Sequence, residues 1–146
     1  MKRLTALICA LITCIGIFTA CGSTKKEPVD VNSPEYRIKN DNFLKPSQND
    51  MFRYKVYDSY VEITEYLAEE IDIVIPDEIE GKPVLVLAPS LFAKNKNIVT
   101  VVMSNNIVKI GKSAFEACTQ LTKITFPNTI KEIPEKMMVD CESLES

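Results

Sequence analysis

The sequence predicts a short parallel solenoid of the α/β class, about three turns long, opened by a β-hairpin and preceded by a signal peptide and a flexible tether. Three observations predict it. The stretch IVTVVMSNNIVKIGKSAFEACTQ, Ile98 to Gln120, is followed without a gap by LTKITFPNTIKEIPEKMMVDCES, Leu121 to Ser143, so one pattern recurs after 23 residues. In register, Ile98 meets Leu121, Val101 Ile124, Met103 Phe126, Ile107 Ile130, Ile110 Ile133, Ala114 Met137, Phe115 Met138 and Cys118 Cys141. Each pair is apolar, or a cysteine acting as a small hydrophobe. Finally, the unit is too short to bury an apolar face alone, so neighbouring turns must stack, each giving one short strand and one irregular or helical return.

In chain order, Lys2 and Arg3 precede an uncharged apolar run from Leu4 to Phe18. That run is too short and too early for an ordinary membrane span and has the build of a secretory signal, taken as residues 1–20. Phe18 stands three places before the cut, where ordinary signal peptidase wants a small residue. The segment FTACGS resembles a bacterial lipobox, with Phe18 where Leu is more usual. The resemblance implies a diacylglyceryl group on Cys21 and an extracytoplasmic, lipid-anchored place in the cell envelope. Two acyl chains suffice for stable anchoring, at roughly 0.8 kcal/mol per buried methylene.

Residues 21–50 are polar, carry three of the eight prolines and show no sustained periodicity, which predicts a disordered tether. From Met51 the pattern changes. Phe52, Tyr54 and Val56 alternate with polar neighbours, Asp58-Ser59 can turn, and Val61, Ile63 and Glu65 resume the alternation. Residues 51–70 therefore read as a β-hairpin capping the first turn. Residues 71–146 hold the repeats. Over residues 71–97, Ile73, Ile75, Val84, Leu87, Leu91 and Phe92 take the places of Val101, Met103, Ile107, Ile110, Ala114 and Phe115, given a loop around Glu78 to Lys82. After Ser143 the chain begins another repeat at Leu144, which suggests either a longer array or an open end covered by a partner or by an oligomer contact.

The elements IPDEIEGKPV, SAFEACTQLTKITFPNTI and CESL resemble the BspA-like, or Treponema-type, bacterial leucine-rich repeats, whose consensus is approximately I-P-x-x-V-x-x-I-G-x-x-A-F-x-x-C-x-x-L. The lead-in YKVYDSYVEITEY resembles the segment that opens such arrays. The resemblance covers about residues 51–146 and departs at Ser104, where the family has proline, at Pro134, where it has glycine, and at Met137-Met138, where it has Ala-Phe. It implies adhesion or binding of host components for some members.

Composition excludes much chemistry. With no histidine in the sequence, His-based triads and His-ligated zinc are ruled out. Neither Gly81 nor Gly111 sits in a phosphate-cradling loop. The carboxylate pairs Glu62 with Glu65 and Glu132 with Glu135 have the residue type for glycosidic acid/base work, and Lys112-Ser113 for a Ser-Lys nucleophile, but solvated charge and a loop position are the simpler readings. No catalytic residue, metal or cofactor is expected beyond the lipid on Cys21. Nucleic acid is not an expected partner for an acidic exported chain of net charge -3.

Two surfaces are candidates. If Ile73, Val101 and Ile124 point inward, then Asp72, Val74, Thr100, Val102, Lys123 and Thr125 form two outward columns, either open for recognition or covered by the hairpin. Charge is also polarised along the array: charged side chains from Glu62 to Glu80 are all acidic, and lysines outnumber acids from Lys82 to Lys136. Lys94, Lys96, Lys109 and Lys112 make a secondary basic patch, suited to an anionic glycan or acidic protein or simply keeping open edges soluble. The expected function is binding of a protein or glycan without turnover. The alternative is an envelope structural or assembly subunit, or the front of a longer repeat protein; a hydrolase is less favoured.

Overall fold

The computed structural model describes residues 30–145. The signal peptide, Cys21 and the first part of the tether lie outside the described residues. Each repeat supplies a first strand to one parallel sheet: β4 (Asp72–Val74), β7 (Thr100–Val102) and β9 (Lys123–Thr125), in the order β4-β7-β9. Their register is Asp72 to Thr100 to Lys123, Ile73 to Val101 to Ile124, and Val74 to Val102 to Thr125. The expected pairing of Ile73, Val101 and Ile124 is therefore the observed one.

A second sheet carries the other strand of the first two turns. Here β6 (Lys82–Leu87) runs parallel to β8 (Lys109–Ile110), with Leu87 opposite Ile110. The insertion expected near Glu78 is a small hairpin, β5 (Glu78–Ile79) against the start of β6. It turns through Glu80 and Gly81, both with positive φ, 52° and 71°, as two-residue hairpins of the right twist require.

The returns correct the α/β label. Among the described residues the one helix, α1 (Pro34–Asn40), precedes the repeats. The returns instead place residues in the left-handed region at a fixed interval: Ser90, Ser113 and Lys136, then Lys94, Ala117 and Asp140. Such residues interrupt a helix, at a cost of roughly 1–2 kcal/mol each. Their conformation aims amides at the next turn. Phe92 N–H donates to Ala114 O at 2.8 Å and Lys94 to Glu116 O at 2.7 Å; one turn on, Phe115 donates to Met137 O at 2.9 Å and Ala117 to Val139 O at 2.8 Å. Bonds that a helix would make within itself are made between turns.

The tether expectation also needs correction over residues 30–50. Ser33 accepts from Tyr36 N–H and Pro34 opens the helix, so α1 has a proper start. β1 (Phe43–Gln48) then pairs antiparallel with β2 (Phe52–Tyr57), which pairs with β3 (Val61–Tyr66). Pro46 is tolerated because β1 is an edge strand. The hairpin thus has a third strand, and it caps the array by running β3 parallel to β6, Val61 against Val84 and Ile63 against Leu87.

One core runs through the cap and the repeats, from Phe52, Val56 and Ile63 to Val101, Phe115 and Leu121. Phe92 stacks on Phe115 at a centroid separation of 5.2 Å and meets Tyr66 of the cap in a tilted contact at 5.4 Å. Cys118 and Cys141 are free thiols that donate to Phe92 O and Phe115 O, each at 3.0 Å. Burial raises the Cys118 thiol to about 11, so it stays neutral and unreactive. A smaller cluster, Tyr60, Leu85 and Val86 with Ile38, Tyr57 and Val108, covers the outer face of β6.

The second sheet stops at β8 for a chemical reason. Gly111 N–H donates to Leu87 O at 2.8 Å, but Pro134, its counterpart one turn later, has no N–H to offer Ile110. Ile133 is consequently 66% exposed, and its expected core pairing with Ile110 does not form. Gly111 itself is a packing requirement, because a Cβ there would lie 2.2 Å from Pro89 N and 2.5 Å from Ala88 C. Gly111→Ala is expected to destabilise the fold by about 3 kcal/mol or more. A Cβ on Gly81 meets nothing within 4 Å, so Gly81→Ala should cost only about 1–2 kcal/mol for its positive φ. Urea denaturation of the two variants checks the contrast.

Candidate functional site

The first sheet presents its outer face to solvent. Alternation along three short strands sends Ile73 and Val101 inward to full burial and turns the residues on either side outward. Val74 is 62% exposed and Val102 41%; Asp72, Lys123 and Thr125 are exposed and Thr100 is half-buried. The six outward residues expected from alternation are thus brought together in two columns. The cap joins the other sheet through β3 and β6, so among the described residues these valines are left uncovered.

The columns are rigid because their backbones are fixed by the parallel ladder. The Thr100 hydroxyl donates to Asp72 Oδ1 at 2.6 Å, which holds that carboxylate along its column. At about 4.8 Å per strand, Asp72 and Lys123 sit roughly 10 Å apart at opposite ends. Among the described residues, Lys123 takes part in no ion pair. The face therefore carries a negative end, a positive end and an apolar strip beside them.

The secondary basic patch is not a single face. Lys94 and Lys96 lie in one return, Lys109 on β8, and Lys112 in the next return, where Glu135 holds its ammonium at 3.0 Å. Ser113, next to Lys112, has a buried side chain. Of the other carboxylates singled out, Glu62 is held by Lys55 and the Tyr57 hydroxyl and Glu65 by Arg53, while Glu132 borders a groove and takes part in no ion pair among the described residues. Among the described residues there is no group of three His, Cys, Asp or Glu placed to hold a metal. No helix there is long and apolar enough to cross a membrane.

Two features escaped the sequence reading. Glu80, at the tip of the β5–β6 hairpin, gathers Lys45 at 2.9 Å, Ser47 at 2.9 Å and Tyr54 at 3.1 Å, and the Lys45 ammonium is the main reason its carboxyl falls below the usual range. This cluster ties β1 and β2 to the first turn. The second is a groove of about 480 Å³ between α1 and the last turn, with Ile38, Val108, Ile110, Ile133 and Pro134 on its walls and Glu35, Lys109, Lys131 and Glu132 beside them. Lys131 closes one end on Glu35 at 2.7 Å and lowers that carboxyl. The unbroken apolar run Val84 to Ala88 was the available signal, since a strand buried on both faces needs an outer cover.

Residues 85–146 match the family model described as BspA type leucine rich repeat region (6 copies). Among solved structures, the T. pallidum leucine rich repeat protein TpLRR is 31% identical with a TM-score of 0.63, over 68% of this chain and 48% of that one. A leucine rich cell surface protein from Faecalibacterium prausnitzii shares the fold at 23% identity and a TM-score of 0.63, over 70% of this chain and 30% of that one. A leucine-rich repeat protein from Bacteroides ovatus does so at 22% identity and a TM-score of 0.63, over 68% and 28%. The chain thus spans about half the length of the first of these proteins and less than a third of the other two. No curated protein matches the chain.

Proposed function

Since residues 85–146 are BspA-type leucine-rich repeats, we propose that this chain is a recognition module held at the cell envelope, binding a protein or glycan without catalytic turnover. The observation that carries the reading is the open face of β4, β7 and β9, where Val74 and Val102 stand in solvent on a ladder that needs neither of them for its core. Stacked repeats use such surfaces for recognition because the backbone holds the side chains at fixed spacing. With only three strands, the contact falls at the small end of the interface range. The name of the Faecalibacterium protein, a cell surface protein, supports an extracytoplasmic setting. Attachment through Cys21 rests on the leader and on the sequence FTACGS.

Two measurements test this. Binding of the exported chain to intact cells, mucins or wall polymers should weaken by about tenfold, or roughly 1.4 kcal/mol, on Val102→Asp or Lys123→Glu. The melting temperature should barely move, since both side chains are exposed. Binding indifferent to both changes would remove the face from the account, and glycan turnover lost on Glu132→Gln would replace binding with hydrolysis. For the anchor, the intact mass of detergent-extracted protein should correspond to a chain starting at Cys21 and bearing a diacylglyceryl group; a mass without lipid contradicts it.

A further inference from the structure

The open face carries its own complement. One column runs Asp72, Thr100, Lys123, from negative through neutral to positive, and the other runs Val74, Val102, Thr125. Building on the reading of this face as the recognition surface, we propose that it pairs with a second copy of the chain, face to face, about a two-fold axis running along β7.

Symmetry and charge together choose that axis. A two-fold in the interface plane and parallel to the strands keeps each column opposite itself while reversing the order of strands. Asp72 then faces Lys123 of the second copy, twice over, Val102 faces its own counterpart, and Val74 faces Thr125. The other in-plane two-fold, along the stacking direction, sets Asp72 against Val74 and Lys123 against Thr125, leaving all four charges without partners. An isologous contact needs a self-complementary patch, and only the first arrangement makes this one so. Sheets stacked face to face lie about 10 Å apart, a gap that an aspartate and a lysine reaching from opposite sides can close. The hydroxyl of Thr100 keeps Asp72 on its column, and Lys123 is exposed.

Area sets the strength. With three short strands the contact falls at the small end of the interface range, so the pairing is weak. It becomes populated where chains are confined together, as tethering to a surface raises effective concentration into the millimolar range.

The test uses the full chain expressed in cells with Val102→Cys, which places a thiol on the proposed axis, and a short bismaleimide cross-linker read by non-reducing electrophoresis. Covalent dimer is expected. It should fall by about tenfold when Asp72→Lys or Lys123→Asp is added singly, because each single reversal sets like charges opposite one another at both ends. It should return in the doubly reversed chain carrying D72K and K123D. No dimer with Val102→Cys, or dimer equally abundant with either single reversal, overturns the proposal. In that case Val102→Asp in the ligand-binding assay separates the two readings: if it still weakens binding, self-pairing alone falls, and if it does not, the face falls as a recognition surface.

Discussion

Everything in the repeats depends on the backbone of one turn being hydrogen-bonded to the backbone of the next, with donor and acceptor 22 residues apart in the returns and the same bonds recurring after 23 residues. Phe92 bonds to Ala114, and Phe115 to Met137, through returns held open by left-handed residues at 90, 113 and 136 and again at 94, 117 and 140. Once that offset is fixed, like side chains must lie over like. Aromatic rings stack on aromatic rings, each cysteine thiol reaches a carbonyl of the turn before it, and Gly111 passes too close to the Ala88-Pro89 backbone to carry a Cβ. The strained backbone angles are tolerated because they satisfy polar groups that would otherwise be buried without partners.

The same ladder explains which surfaces are open. The cap adds its strands to the second sheet, and α1 lays Ile38 over the outer side of β6. Among the described residues the first sheet receives no such cover, and its outward columns are exposed. Pro134 has no donor to extend the second sheet, and Ile133 and Pro134 instead line the groove beside α1. An open sheet face and a groove thus arise from where strands find partners, on a backbone that is otherwise a simple stack.

The repeats were legible because their signal is periodic and local. Ile73 over Val101 over Ile124, and Leu87 beside Ile110, follow from matching apolar positions, and the outward columns follow from alternation. The openness of those columns was not legible, because it depends on which sheet the cap joins. The structure of residues 30–50 was hidden for a related reason. Asp41 receives Ser59, Asn42 reaches Asp58, and Glu35 meets Lys131 far along the chain, and no composition rule shows such partners. Of the two returns the sequence allowed, irregular or helical, the structure has the irregular one, and sequence left the choice open because a repeat period fixes the length of a turn but not where its amides bond.

Trans-hydrogen-bond scalar couplings measured by NMR on the isotope-labelled chain test the central claim most directly, since they identify each amide's acceptor. The stacked-turn account predicts couplings from the Phe92 amide to the Ala114 carbonyl, from Phe115 to Met137, and from Ala117 to Val139. Couplings from Phe115 and Ala117 to carbonyls four residues earlier in the chain, as in a helix, would contradict it.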